Sequence, residues 1–219
     1  KTIVALTSWD WIDENPWAEL PGIPWTIVTA GTVILSYKLS GKGLAFFSLI
    51  ALVYISIFGQ WEPSMQTLSF ILVAAPVSFI LGLSLGIMAY RSKVVEKALY
   101  PLLLVMQTMP QYAVLVPAMV LFGIGDHSAA IITIIVATPP MILLTLLGLR
   151  GISPEVIEAG KMSGCNNWQL MTKVLVPTAR RDILIGVNQV IMVCFSMAVI
   201  AAFIGAKGLG WNLLLALNQ

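Results

Sequence analysis

The sequence predicts an all-α, polytopic membrane protein, and three observations carry that prediction. Of 219 residues, 58% are hydrophobic and only 10% charged, with a mean hydropathy of +0.93. A water-soluble domain carries about 25% charged residues because its surface faces water, so this chain has too few charges to cover such a surface. Long apolar runs alternate with short charged loops. Basic residues also collect on one side when those runs are threaded alternately through a bilayer.

The runs give six spans. The first, Ile23–Tyr37, is short against the roughly 20 residues a bilayer needs. Gly43–Phe58 follows, then Met65–Tyr90, which contains no charge and is long enough to cross with tilt. The fourth, Ala98–Phe122, is interrupted by Pro101, Pro110 and Pro117. The fifth, Ala129–Leu149, carries Pro139-Pro140, and the sixth is Ile183–Ile204. Gly205–Gly210 then breaks the pattern, leaving Trp211–Leu217 too short to cross. Domain boundaries follow: an amphipathic Trp-rich segment over 1–22, two N-terminal transmembrane helices over 23–60, and a core over 61–219 containing a long loop at 150–182.

Alternation places Lys38, Lys42, Arg91, Lys93, Lys97, Arg150, Lys161, Lys173, Arg180 and Arg181 on one side. That is ten of twelve Lys and Arg residues, with only Lys1 and Lys207 opposite. Basic residues are retained in the cytoplasm, so the N-terminus is expected outside, with Asp10, Asp13, Glu14 and Glu19. Trp9, Trp11, Trp17 and Trp25 crowd this external segment. An aromatic cage for a cation is one reading. Interfacial anchoring is the better one, because the cluster abuts a span and Trp favours the headgroup zone. The chain begins at Lys1 rather than Met and stops after an apolar stretch, so it is expected to be part of a longer protein.

The 150–182 loop breaks the rule of tight connections. Ser153 is placed to cap a first short helix, Pro154 suits its first turn, and Glu155 favours the positive end of its dipole. Gly164 supplies a left-handed residue to end it. Asn166 caps a second helix, and Gln169 three residues on completes a capping-box pattern. Pro177 is expected to close that helix, and Arg180-Arg181 to mark re-entry into the membrane. The product is a compact cytoplasmic knob presenting Glu158, Lys161, Met162 and Trp168, a mixed charged and apolar surface that suits a partner's groove. A solvated loop with incidental caps is the alternative on physics alone.

Glu158-Ala159-Gly160, Gly164 and Val174-Leu175-Val176-Pro177 resemble the EAA loop of binding-protein-dependent ABC importer permeases. That pattern runs Glu-Ala-Ala, three residues, Gly, nine residues, Ile-x-Leu-Pro. Gly160 departs from the second alanine, and Val174 and Val176 from the larger aliphatics, which weakens the first helix slightly without removing the knob. Met106–Pro110, Val116-Pro117, Leu121–Gly125, Thr138–Pro140, Gly186–Gln189, Ser196-Met197 and Gly208–Gly210 are similar to the glycine betaine/proline betaine (quaternary amine) permease subfamily. This similarity runs from about Met65 to the end.

The resemblance implies a type I ABC importer permease core preceded by two extra N-terminal helices. It also implies a homodimer, two cytoplasmic ATPase subunits gripping Glu158, Ala159, Gly160, Gly164, Val174, Val176 and Pro177, an external solute-binding protein, and a further span after Gln219. ATP and magnesium would sit on the partner ATPase, with no cofactor on this chain. The setting is a bacterial or archaeal cytoplasmic membrane. The implied cargo is a methylated amine: glycine betaine, proline betaine, choline, carnitine or trimethylamine N-oxide. An amino acid or other small polar solute is the alternative.

The remaining residues narrow the mechanism. No Gly-x-x-x-x-Gly-Lys-Ser/Thr loop is present, so this chain cannot cradle ATP in that way and is not expected to be an enzyme. No charge falls inside a proposed span, which argues against a carboxylate-based proton pump. Cys165 and Cys194 match no redox or metal spacing, and Asp126 and His127 sit in an external turn with no second ligand nearby. No metal site is expected.

The polar residues within the spans are uncharged. Gln107, Thr108 and Gln111 flank Pro110, while Asn188, Gln189 and Ser196 lie in the sixth span. They suit the lining of a path for a small polar solute; interhelical hydrogen bonding is the alternative. Asn188 and Gln189 point about 100° apart, so the two do not share one face. Neutral dipoles would let a cation leave where a fixed acid would trap it. The methionines, including Met106, Met109, Met192 and Met197, are better taken as packing.

Overall fold

The computed structural model describes residues 25–217, and these form helices with no strand among them. The Trp-rich segment 1–22, with Trp9, Trp11 and Trp17, lies outside the described residues.

Helices α1 (Trp25–Ser40) and α2 (Lys42–Ile57) are joined by Gly41 alone and form a hairpin. The Ser36 and Ser48 hydroxyls cross-link the two helices, Oγ to Oγ, at 2.9 Å. The long helix α3 (Trp61–Arg91) follows, then α4 (Lys93–Thr108), capped by Ser92, and α5 (Gln111–Phe122). The expected fourth span is two helices. The chain turns by 107° between α4 and α5. Pro110 is responsible, since it has no N–H for the Met106 carbonyl and holds Met109 in an extended backbone (φ −72°, ψ 135°). Pro101 and Pro117 stay inside their helices.

Helix α6 (Asp126–Arg150) passes through Pro139-Pro140 without a stop. Thr138 Oγ1 donates to the Ile134 carbonyl at 2.6 Å and Ser78 Oγ reaches the same oxygen at 3.5 Å, so hydroxyls supplement the helix beside its missing N–H groups. Asp126 and His127 open this helix rather than sit in the turn before it. Then come α7 (Pro154–Met162), α8 (167–178), α9 (Arg180–Ile200), a 3₁₀ turn Ala201–Ile204, and α10 (Leu209–Leu217). Three described stretches are long and apolar enough to cross a bilayer: Trp61–Arg91, Asp126–Arg150 and Arg180–Ile204.

The chain divides into two compact units. One holds Val73–Gly123 and His127–Met197. Its core is a seam of small against large residues. A Cβ on Gly82 would lie 2.5 Å from Met141 Cβ, one on Gly86 2.6 Å from Thr145 Cβ, and one on Gly186 2.8 Å from Met141 Sδ. Met141, Leu149, Val190, Cys194 and Met197 are fully enclosed there. Close backbone approach of this kind holds helices together where lipid removes the hydrophobic drive.

The other unit includes the α1–α2 hairpin, the start of α3, 124–126 and the chain from Ala198. Here α10 is fastened by polar contacts. Asn212 Nδ2 donates to Gln60 Oε1 at 2.9 Å, and the Leu209 N–H to Thr67 Oγ1 at 3.0 Å. The Lys207 N–H donates to Asp126 Oδ1 at 2.9 Å. Gly208 sits at φ +127° with Thr67 Oγ1 2.6 Å from where a Cβ would be, so both its backbone angle and its surroundings require glycine.

Candidate functional site

The 150–182 segment forms the two-helix knob that its caps dictate. Helix α7 begins at Pro154 with Ser153 in the N-cap position, but the Ser153 side chain accepts no backbone hydrogen bond. Its hydroxyl instead donates to the Glu155 carboxylate, which together with a backbone N–H holds that exposed carboxyl below the ordinary range. Gly164 follows α7 at φ +78° with open space around it, so backbone conformation alone selects glycine there. The capping box opening α8 is complete. The Gln169 N–H donates to Asn166 Oδ1 at 2.8 Å and the Asn166 N–H to Gln169 Oε1 at 3.0 Å.

Pro177 does not close α8. The helix begins as an α-helical turn (Asn167–Gln169), widens to a π-helical stretch (Leu170–Leu175), and passes through Pro177 in a last turn ending at Thr178. The wider turn makes room for a ring that would otherwise press on the Lys173 carbonyl. Ala179 then leads into α9, with its N–H still donating to Leu175 O at 2.9 Å and its carbonyl accepting from Ile183 at 3.1 Å. The knob is therefore spliced into the last long span by a nearly continuous helix.

Its surface is as the sequence suggests. Glu158, Ala159, Lys161, Gly164 and Pro177 are exposed, Val174 and Val176 half-buried, and Met162 and Trp168 are 90% and 66% exposed. Gly160 differs from the sequence-based view, in which it merely weakens α7. It is buried, and a Cβ there would lie 2.6 Å from Leu170 Cδ1 and 3.4 Å from Val174 Cγ2. Leu170 thus occupies the volume an alanine methyl would take. The signal was present in the sequence, as a small residue in α7 paired with a large one in α8, but only the crossing point of the helices identifies the pair. A second close approach links the knob's exit to the span before it, since Gly148 sits against Asp182 with 2.7 Å between an added Cβ and Asp182 Cβ.

The polar residues of the spans fall into two groups. Gln107 and Thr108 end α4, and Gln111 starts α5 beyond the exposed Pro110. Thr108 Oγ1 donates to Val105 O at 3.0 Å. On α9, Asn188, Gln189 and Ser196 are exposed in the single chain. Ser196 Oγ donates to Met192 O at 3.1 Å, and Asn188 Nδ2 is 4.0 Å from Met192 Sδ. These bonds are local to one helix, so they do not act as interhelical glue within the chain.

The chain matches the family of binding-protein-dependent transport system inner membrane components over residues 78–219. It is 82% identical over 219 residues to a trimethylamine N-oxide transport system permease protein of Pelagibacter ubique, covering all of this chain and 30% of that protein. A protein of the same name from Ruegeria pomeroyi is 47% identical over 198 residues, or 90% of this chain and 30% of the relative. The chain therefore spans under a third of the length of these two relatives. A glycine betaine transport system permease protein of Bacillus subtilis is 38% identical over 200 residues, covering 91% of this chain and 70% of that one. In fold it is similar to an inward-facing methionine ABC transporter structure, with a TM-score of 0.60 at 22% identity over 74% of this chain and 80% of that one. On its fold and on these matches, the chain belongs to the binding-protein-dependent transport system inner membrane component family, with the all-α architecture of a type I ABC importer permease.

Proposed function

We propose that this chain is the membrane-spanning part of an ATP-driven importer whose cargo is a methylated amine, with trimethylamine N-oxide the leading choice. The observation that carries this reading is the 82% identity, over the whole chain, with a trimethylamine N-oxide permease. Glycine betaine, proline betaine, choline and carnitine are the related cargoes.

The assembly in this reading contains a second permease copy, two cytoplasmic ATPases that hold ATP and magnesium, and an external solute-binding protein, with lipid around the spans. The N-terminus and the 1–22 segment are outside, and the 23–60 hairpin precedes the transport core over 61–219. The exposed edge formed by Glu158, Ala159, Met162 and Trp168 enters the ATPase groove. Gly160 and Gly164 set how α7 and α8 meet, and Val174, Val176 and Pro177 carry the motion into α9. ATP draws the ATPases together, the knobs follow, and the paired permeases exchange inward-open for outward-open. The loaded binding protein favours the outward state, since only differential affinity shifts an equilibrium.

Gln107, Thr108, Gln111, Ser196 and one of the neighbouring pair Asn188 and Gln189 line the path in this account, around the bend at Pro110. Their amides and hydroxyls meet a dipolar N-oxide or betaine without a fixed charge that would hold it.

The test reconstitutes the full-length permease with its ATPase and binding protein and measures ATP hydrolysis against a panel of methylated amines and amino acids. Trimethylamine N-oxide is expected to stimulate hydrolysis most. Stimulation by amino acids with none by methylated amines would overturn the cargo. The double variant Glu158→Lys/Gly164→Trp should insert normally yet uncouple hydrolysis from uptake, and unchanged uptake would remove the docking role.

A further inference from the structure

A cleft of about 410 Å³ opens between the start of α4 and the end of α6, lined by Lys93, Glu96, Lys97, Tyr100, Pro101 and Arg150. The α4 residues are three and four apart, so they share one helix face. Arg150 is the last residue of α6 and forms an ion pair with Glu96, whose side chain is only 15% exposed against 51% for Arg150. That pair commits the one carboxylate of the cleft to the guanidinium and fixes the latter's position. Lys93 and Lys97, both exposed, have no ion-pair partner among the described residues, so the cleft carries a surplus of positive charge.

Below it the surface is apolar. Leu104 lies one turn beyond Tyr100 and Val105 one turn beyond Pro101, at 47% and 54% exposed. The cleft thus has a cationic head, an aromatic ring at the boundary, and an uncovered hydrocarbon stripe leading away from it. A free anion would use only the first of these features. A lipid uses all three, its phosphate on the lysines and guanidinium and its acyl chains along α4.

We propose that this cleft is a binding site for an anionic glycerophospholipid. The headgroup sits on Lys93, Lys97 and Arg150 beside Tyr100, and the chains lie on Leu104 and Val105. Which leaflet supplies the lipid rests on the orientation proposed above, whereas binding itself does not.

The experiment embeds the full-length permease, with its ATPase, in nanodiscs of mixed phosphatidylglycerol and phosphatidylcholine. Native mass spectrometry then counts the lipid retained. Phosphatidylglycerol is expected to be retained selectively. Each basic side chain near an anionic surface contributes roughly a factor of five in affinity, so Lys93→Gln/Lys97→Gln should weaken retention by about 25-fold. Lys93→Arg/Lys97→Arg should keep it. Retention unchanged by the glutamine pair, or reduced as much by Lys42→Gln on α2, would overturn the site. So would displacement of the lipid by inorganic phosphate, which would make it a plain anion site. Loss of ATPase co-purification with no change in lipid count would give the cleft to a protein partner instead. Because lipid count is read apart from uptake, failure here leaves the cargo assignment untouched, and failure of the cargo assignment leaves the lipid site untouched.

Discussion

The knob over 152–179 and the seam between α3 and α6 both depend on glycine, and they use it in opposite ways. In the knob, Gly164 stands in open space and is needed for its left-handed backbone, while Gly160 is pressed only by Cδ1 at the far end of Leu170. In the seam, Gly86 faces Thr145 Cβ at 2.6 Å, Thr145 Cγ2 at 2.8 Å and the Ile142 carbonyl at 3.1 Å. Thr145 Cβ and the Ile142 carbonyl oxygen are fixed to the α6 backbone, and no side-chain rotamer moves them away. The knob tolerates volume because water and flexible side chains surround it. The seam does not, because contact between backbones is what joins its helices.

The same substitution in both regions tests this contrast, and the seam should give the larger response. Gly86→Ala forces α3 and α6 apart and should cost about 3 kcal/mol, the upper end for overpacking a close-fitted contact. Thermal unfolding of the purified permease in detergent would measure it. Leu35→Ala on α1, where the residue is 58% exposed, should change stability by less than about 0.5 kcal/mol in the same assay, since it removes little packing within the chain. Equal losses from the two would break the idea that glycine contacts, rather than apolar bulk, hold these helices.

Second in size is Gly164→Val. No neighbour obstructs a side chain there, so the cost is the left-handed backbone alone, about 2 kcal/mol for a non-glycine residue. Gly164→Asn should recover most of it, because Asn visits that region more readily. Amide hydrogen exchange in α7 and α8 would report the difference. If Asn were as damaging as Val, crowding rather than backbone angle would be the cause.

These two positions also explain what the sequence revealed. The knob follows rules written in short local patterns. Pro154 at the first turn, Gly164 at the end of α7 and the Asn166–Gln169 box each depend on residues at most four apart, and each was legible. The long spans at α3, α6 and α9 were legible from hydropathy alone. What was not legible depends on partners far along the chain: Gly86 with Thr145, Gly160 with Leu170, and Gly148 with Asp182. A residue without a side chain gives no sign of what it touches. Pro110 and Pro177 show the other limit. Both looked like breaks, yet Pro110 turns the chain by 107° while Pro177 is absorbed by a π-helical stretch that ends two residues upstream. At Pro177 the preceding turn widens around the buried Leu170 and Leu175. Pro101, Pro117 and Pro139-Pro140 are instead held within α-helix, so a proline's effect is set by its surroundings in the fold. Of the proposed transport residues, exposure of Glu158, Met162 and Trp168 was foreseeable from the α7 and α8 pattern. Exposure of Asn188, Gln189 and Ser196 on α9 was not, since nothing local separates a polar residue that packs from one that faces a path.

Gly160→Ala is the third and smaller effect, and its sign is what matters. Alanine gains about 1 kcal/mol of helix propensity over glycine. Against this, Leu170 must change rotamer, which costs about 0.5–1.5 kcal/mol. The single variant should therefore be nearly neutral in thermal unfolding. Placed on a Leu170→Ala background, the same change should stabilise by about 1 kcal/mol, because the obstructing Cδ1 is gone. A single variant as damaging as Gly86→Ala would erase the distinction between the two regions.

The smallest expected effect belongs to Glu155, which lies on the solvent side of the knob. Its carboxyl is held low first by the Ser153 hydroxyl and then by a backbone N–H. A depressed carboxylate stabilises the folded form at every pH above its ordinary value, and that contribution is lost as pH falls through the lowered one. Protection of the first-turn amides of α7 against hydrogen exchange should accordingly hold through neutral pH and decline only in acid, below the usual carboxylate range. Ser153→Ala removes the larger cause, so the decline should move to higher pH while α8, capped at its start by the uncharged Asn166–Gln169 box, keeps its protection. If α7 and α8 lost protection together, the two helices would be opening as one unit and not from the Ser153 end.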